Sequence, residues 1–313
     1  MPTRRWLLTI AALVFAWGCA PVTTAPPPAT PATARTAYVR DTPALIASPT
    51  ARAALAERLA ARQLTAVAPY HLAPLLVDAD GRTRLAGWID EVHRAGGQVI
   101  VPIGGADRIG PLTQVIAEHP GTWIDGAVTE DEYWNRADRA AALTELLDLL
   151  DALGVAGPAL APGRGLRIGA YLGYPTAAEA AELAARLDFV FLDYSVATPR
   201  DAWVHVHAKG GPLRDRYGWF AQAGVEVTPI FYATGEVDMA ASLEAFGLNG
   251  VEARFEADLA ADPAYGQFAV TGFAYFTLEA LPPTSDGAAS MLSPPVTARN
   301  GNVSTVPTGP PTA

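Results

Sequence analysis

Between residues 36 and 276, short apolar runs alternate with alanine-rich stretches of helical spacing, and this alternation constrains the fold more than any other feature of the chain. The apolar runs cover residues 36–40, 64–72, 98–103, 124–129, 166–172, 189–194, 225–232 and 270–276, and each has the length of a strand. Helical patterns separate them at 49–63, 82–95, 111–118, 134–153, 176–187, 213–223 and 237–259. Pro49 stands near the start of the first, and Leu85, Ile89 and Val92 share one face of the second, which stops at Gly96-Gly97. Gly154 is expected to end the fourth, and Thr176 with Glu179 three residues on forms a capping box for the fifth. Eight strands separated by helices in about 250 residues predict a single-domain (β/α)8 barrel. A doubly wound open sheet is the alternative, but no Gly-x-Gly-x-x-Gly follows the first strand, so its nucleotide-binding version has no support.

The ends of the chain read differently. Residues 1–18 carry Arg4-Arg5, an apolar run from Trp6 to Trp17, and Gly18 just before Cys19. A basic start, an apolar run too short to span a bilayer comfortably and a small residue before the cut predict an export signal. Ala16-Trp17-Gly18-Cys19 resembles a bacterial lipobox, which implies cleavage before Cys19 and a lipid on its thiol. An ordinary secretory signal with a chance cysteine is the alternative. Cys19 is the only cysteine, so no internal disulfide can form. Residues 19–35, rich in Pro, Thr and Ala, predict a tether, and residues 284–313, with repeated Pro-Pro pairs, a disordered tail. The barrel is left with 36–283. These features predict a monomer held at a bacterial cell envelope by its N-terminal lipid. The net charge of -10 comes with no dense Lys/Arg cluster, which argues against a nucleic-acid partner.

In such a barrel, reactive side chains sit at the C-terminal ends of the strands. That rule selects Tyr70 and His71, Gly104 and Gly105, Glu130 and Glu132, Tyr171 and Tyr174, Asp193 and Tyr194, Tyr232, and Phe276 to Glu279. Acids and aromatics dominate this rim, as carbohydrate binding requires: aromatic rings stack on sugar C–H faces and acids bond the hydroxyls. Glu130 and Glu132 are two residues apart and share one face of an extended chain, the arrangement needed for acid/base work on a sugar. The competing reading is that Glu130 to Glu132 cap a following helix. Tyr133, Trp134 and Asn135 follow directly. Trp134 is either a sugar platform or helix-start packing, His71 is a structural or a site histidine, and Trp203 and Trp219 flank the loop after strand six. Glu236 and Glu279 are spare acids on the same rim. His205 and His207 have no acid spaced to complete a metal site, so no metal is expected. Asn302-Val303-Ser304 is a glycosylation sequon that an envelope lipoprotein leaves unused.

Three strand ends together resemble family 18 glycoside hydrolases, the chitinases and endo-β-N-acetylglucosaminidases. The third strand of that family ends in Ser-x-Gly-Gly; here Gly104-Gly105 remain and Pro102 replaces Ser. The fourth carries Asp-Gly-x-Asp-x-Asp-x-Glu; here Asp125, Gly126 and Glu132 match, Val128 replaces the first inner acid and Glu130 the second. The sixth carries Met-x-Tyr-Asp, against Leu192-Asp193-Tyr194-Ser195. Tyr275 or Phe276 would supply the aromatic floor. The resemblance implies retaining, substrate-assisted hydrolysis of N-acetylglucosamine-containing glycans with no cofactor. Glu132 would protonate the glycosidic oxygen, Glu130 would orient the attacking acetamido group and Tyr194 would bond it. Tyr70, Tyr133, Trp134, Asn135, Asp193, Tyr232 and Phe276 would bind the substrate. A glycan-binding lipoprotein without catalysis and an envelope scaffold that binds a protein are the alternatives, since Val128 and Ser195 remove polar neighbours of the acids.

Overall fold

A computed structural model describes residues 34–195, 198, 203, 206–207, 211–233 and 239–282. Eight parallel strands close into a barrel in chain order: Ala34–Val39, Ala66–Pro69, Gln98–Ile103, Gly126–Thr129, Arg167–Leu172, Phe189–Asp193, Glu226–Tyr232 and Gly272–Phe276. The first strand pairs with the last, Ala37 opposite Tyr275, so no edge is left open. Every expected strand is present, some shorter than its apolar run. Leu64 to Leu72 yields only Ala66–Pro69, because the chain turns at His71, whose φ of 58° lies in the left-handed region.

Helices separate the strands, the main ones being Pro49–Ala61, Ala79–Arg94, Ile109–Glu118, Arg139–Leu160, Ala177–Ala184, Leu213–Gln222 and Ala240–Ala260. The Thr176 capping box is formed in full. One expected boundary moves at both ends. The helix anticipated over 134–153 starts at Arg139, capped by Asp138, and runs through Gly154 and Pro158 to Leu160. Leu153, Gly157 and Leu160 are buried against the barrel, and that burial outweighs the roughly 1 kcal/mol helix penalty of a glycine. Two short helices, Thr42–Ala47 and Ala73–Leu76, were not expected, nor was a small hairpin pairing Val206–His207 with Gly211–Pro212. Among the described residues no helix is long and apolar enough to cross a membrane.

The barrel interior is filled with side chains. Tyr38 and Phe191 meet across it at 6.1 Å between ring centroids, and Phe191 packs on Phe189 at 5.1 Å. Gly169 is obligatory here, since a Cβ would lie 2.3 Å from the Phe189 ring. Outside the barrel, Phe231, Phe273 and Phe255 form a second aromatic layer against the helices. The N-terminal end is tied by polar groups. Arg35 reaches both oxygens of Glu252 (2.7 and 2.6 Å), the Arg62 carbonyl and Asn249. Asp125 accepts from the Val99 amide, the Trp123 indole and His93 at 2.8 to 3.1 Å. The Asp-Gly pair of the fourth strand is thus a structural tie at the floor of the barrel.

Candidate active site

The fourth strand ends at Thr129, and its next inward-facing residue is Glu130. Glu130 lines a cavity of about 80 Å3 at the barrel mouth with Glu132, Tyr38, Tyr70, Tyr171, Tyr232 and Phe276. The Tyr70 hydroxyl donates to Glu130 Oε2. Tyr38, fully buried beneath, faces the same carboxyl without reaching hydrogen-bond geometry. The Tyr171 and Tyr232 hydroxyls are bonded to each other at 3.3 Å across the cavity, and the Phe276 ring lies 5.2 Å from Tyr232. Glu130, Glu132, Tyr70, Tyr232 and Phe276 are therefore brought together, joined by Tyr38 and Tyr171.

The two carboxyls differ in their surroundings. Burial, only partly offset by the Tyr70 bond and the nearby Tyr38 hydroxyl and reinforced by the Glu132 charge, pushes Glu130 up to about 7 from its ordinary 4.5. The same burial, with the Glu130 charge, pushes the Tyr70 phenol upward. Glu132 is exposed and its Oε2 accepts from Asn135 Nδ2 at 2.8 Å. Of the two paired acids, the enclosed one is Glu130 and the exposed one Glu132. The strand stops one residue before Glu130, so Glu130 stays in the barrel mouth while Glu132 swings out on the turn Tyr133–Asn135.

Three further expected contacts lie elsewhere. Tyr194 is fully buried on the outer side of the barrel, packed on Phe231 and Phe255, with its hydroxyl donating to the Leu213 carbonyl at 3.1 Å. Side chains alternate along a strand: Phe189, Phe191 and Asp193 point inward, so Tyr194 points out and cannot bond a substrate. Tyr133 is also fully buried and donates at 3.1 Å to Glu179, whose two carboxylate oxygens accept from Arg139 at 2.5 and 2.6 Å. Trp134 is 6% exposed, wedged between Tyr171 and Tyr174, with Gly173 so close that a Cβ would come within 2.8 Å of the indole. Both brace the turn that carries Glu132; neither is an open platform.

Asp193 is buried inside the mouth and accepts from the Ser195 amide at 2.9 Å and from its hydroxyl. Burial raises its carboxyl above the ordinary range. Beyond it lies Arg216, from the helix Leu213–Gln222, fully buried, 4.9 Å from the Tyr174 ring centroid and with all three guanidinium nitrogens lacking a hydrogen-bond partner among the described residues. Desolvation depresses its basicity. Nothing in the local sequence marks Arg216, whereas Tyr38 sits at the inward parity of the first strand and was open to discovery. Of the other residues singled out, Trp203 is core, donating to Asp262 at 3.3 Å, and Trp219 is half-buried. His71, with Arg40, Asp41, Thr277 and Glu279, lines an outer groove of about 510 Å3. Cys19, His205, Glu236, Asn302 and the terminal segments lie outside the described residues, as does the side chain of His207. Among the described residues, no three His, Cys, Asp or Glu side chains cluster to hold a metal ion.

No protein-family model and no curated relative matches the chain. Among solved structures it is similar to GH5_18 of Streptomyces cattleya, determined in complex with GlcNAc, at a TM-score of 0.51 and 13% identity over 78% of this chain and 70% of that one. It is also similar to a family 18 chitinase of Cycas revoluta in complex with (GlcNAc)4, at a TM-score of 0.48 and 12% identity over 79% of this chain and 96% of that one. The Streptomyces likeness establishes a shared barrel fold.

Proposed function

We propose that the protein is a glycoside hydrolase acting on N-acetylglucosamine-containing glycans, with Glu130 carrying the proton. The observation that supports this most is the Glu130 carboxyl, pushed up to about 7 inside an aromatic cavity beside a second, exposed carboxylate. A carboxyl poised near neutral pH can both give and take a proton. Glu130 gives its proton to the glycosidic oxygen as the C1–O bond breaks, while the acetamido oxygen of the substrate attacks C1. Glu132 accepts the acetamido N–H and holds the positive charge, and the Tyr171–Tyr232 hydroxyl pair bonds the sugar in place of the outward Tyr194. Water, deprotonated by Glu130, then opens the cyclic intermediate with retention. The proposal includes anchoring at a bacterial cell envelope by a lipid on Cys19, as the N-terminal sequence suggests.

The test is turnover of fluorogenic N-acetylglucosaminides by the full chain beside Glu130→Gln and Glu132→Gln. Loss of a general acid predicts a 10²–10⁴-fold fall for Glu130→Gln. Full activity in Glu130→Gln refutes the assignment. Absence of turnover, with glycan binding that survives Glu130→Gln, identifies instead a binding barrel, the reading favoured by Val128 standing buried where the resemblance has an acid.

A further inference from the structure

Glu130 and Tyr70 line not one cavity but two. Besides the central mouth, they border a groove of about 360 Å3 over the ends of the second and third strands. A group that protonates a linking oxygen must stand where the two halves of the substrate meet, so the second space receives the half on the far side of the broken bond. The two spaces differ in chemistry. The central mouth offers the Glu132 carboxylate, two tyrosine hydroxyls and ring faces. The groove is walled by Leu72 and Leu76 from the short helix Ala73–Leu76 and its approach, by Val101 and Pro102 of the third strand, and by Leu112 of the helix Ile109–Glu118. Pro102 brings neither a hydroxyl nor an N–H to this wall. Besides Tyr70 and Glu130, the polar side chains of the lining are His71 and Arg108, both exposed.

We propose that this groove seats an apolar aglycone, so that the substrate class is a glycoside of an alkyl chain. This rests on the reading of Glu130 as proton carrier. The magnitudes decide between a chain and a second sugar. Each methylene moved from water onto such walls is worth about fourfold in binding. Each sugar hydroxyl left there without a partner costs roughly five- to 150-fold. The groove lies within the size range of small-ligand pockets, roughly 300–1,000 Å3, and shares the Tyr70 and Glu130 side chains with the mouth.

The experiment compares methyl, butyl, hexyl and octyl N-acetylglucosaminides with chitobiose and chitotriose, using the full chain, by turnover and by calorimetric binding. The expected result is an octyl advantage over methyl of at least a hundredfold in kcat/KM and in affinity, with the oligosaccharides no better than the methyl glycoside. In Leu76→Gln the gain per methylene falls toward onefold. A flat alkyl series in binding overturns the groove assignment, and so does an octyl advantage that persists undiminished in Leu76→Gln. Chain-length-dependent binding with no turnover of any glycoside keeps the groove and removes the catalytic reading, so the two failures are told apart.

Discussion

At the N-terminal end of the barrel, the Arg35 guanidinium has its donors met by Glu252, the Arg62 carbonyl, Gln63 and Asn249. At the C-terminal end Arg216 is also buried, yet its three nitrogens have no hydrogen-bond partner among the described residues. The carboxyls show the same contrast. Asp125 at the floor is held below its ordinary range by His93, the Val99 amide and Trp123, although burial opposes them. Glu130 at the mouth is driven up by burial that its two tyrosines do not offset. Buried polar groups are normally satisfied, so the unpaired Arg216 guanidinium and the raised Glu130 carboxyl are the costly groups of this pairwise contrast. The floor of a (β/α)8 barrel serves stability and the mouth serves the reaction.

The sharpest way to break this contrast is at the floor. Glu252→Leu leaves the buried Arg35 charge without its carboxylate partner and is expected to cost about 3–5 kcal/mol in urea unfolding. A loss under about 1 kcal/mol would erase the distinction between the two ends. The mouth should respond in the opposite direction. The folded-state value of Glu130, about 7, lies above its ordinary 4.5, so the folded protein holds the extra proton. The stability this adds is full below pH 4.5 and is lost as pH rises through 7, a fall on the order of 3 kcal/mol. Glu130→Gln should abolish that slope and be the more stable protein at pH 8, and a matching slope in both proteins would remove the burial argument. Catalysis through the protonated Glu130 should likewise decline above about pH 7 in the kcat/KM profile.

Arg216→Met tests the unpaired cation. It removes a desolvated charge, and the expected change is a gain of about 1 kcal/mol or none, read as an unchanged or higher Tm. Destabilisation as large as that of Glu252→Leu would show that Arg216 is paired as firmly as Arg35. The smallest effect is expected at Tyr194. Tyr194→Phe loses one hydrogen bond to the Leu213 carbonyl, about 1 kcal/mol, with turnover unaltered. A tenfold loss of turnover at unchanged stability would return this residue to the site.

The strands and helices were legible because their periodicities are local. All eight strands, the capping box at Thr176 and the closure into a barrel follow from run lengths and spacing. The rim rule likewise found Glu130, Glu132, Tyr70, Tyr232 and Phe276, since it needs only the position of a strand end. It erred where orientation mattered. In a parallel barrel both faces of a strand are covered, so Phe189-Val190-Phe191-Leu192 shows no polar alternation to reveal which side is inside. Tyr194 was therefore read as facing in when it faces out. Trp134 and Tyr133 looked like sugar contacts because nothing local discloses that they pack against Gly173 and Glu179, distant in the chain.

By itself, then, the sequence determined the fold class, the order of its elements and the set of acids and aromatics available at the barrel mouth, because those depend on neighbours a few residues apart. The tertiary structure alone decided which of two adjacent carboxyls is buried and raised, that Tyr38 joins them, that Arg216 lies nearby unpaired among the described residues, and that an apolar groove opens beside Glu130. Each of those depends on desolvation and on contacts between distant segments, which no local pattern encodes.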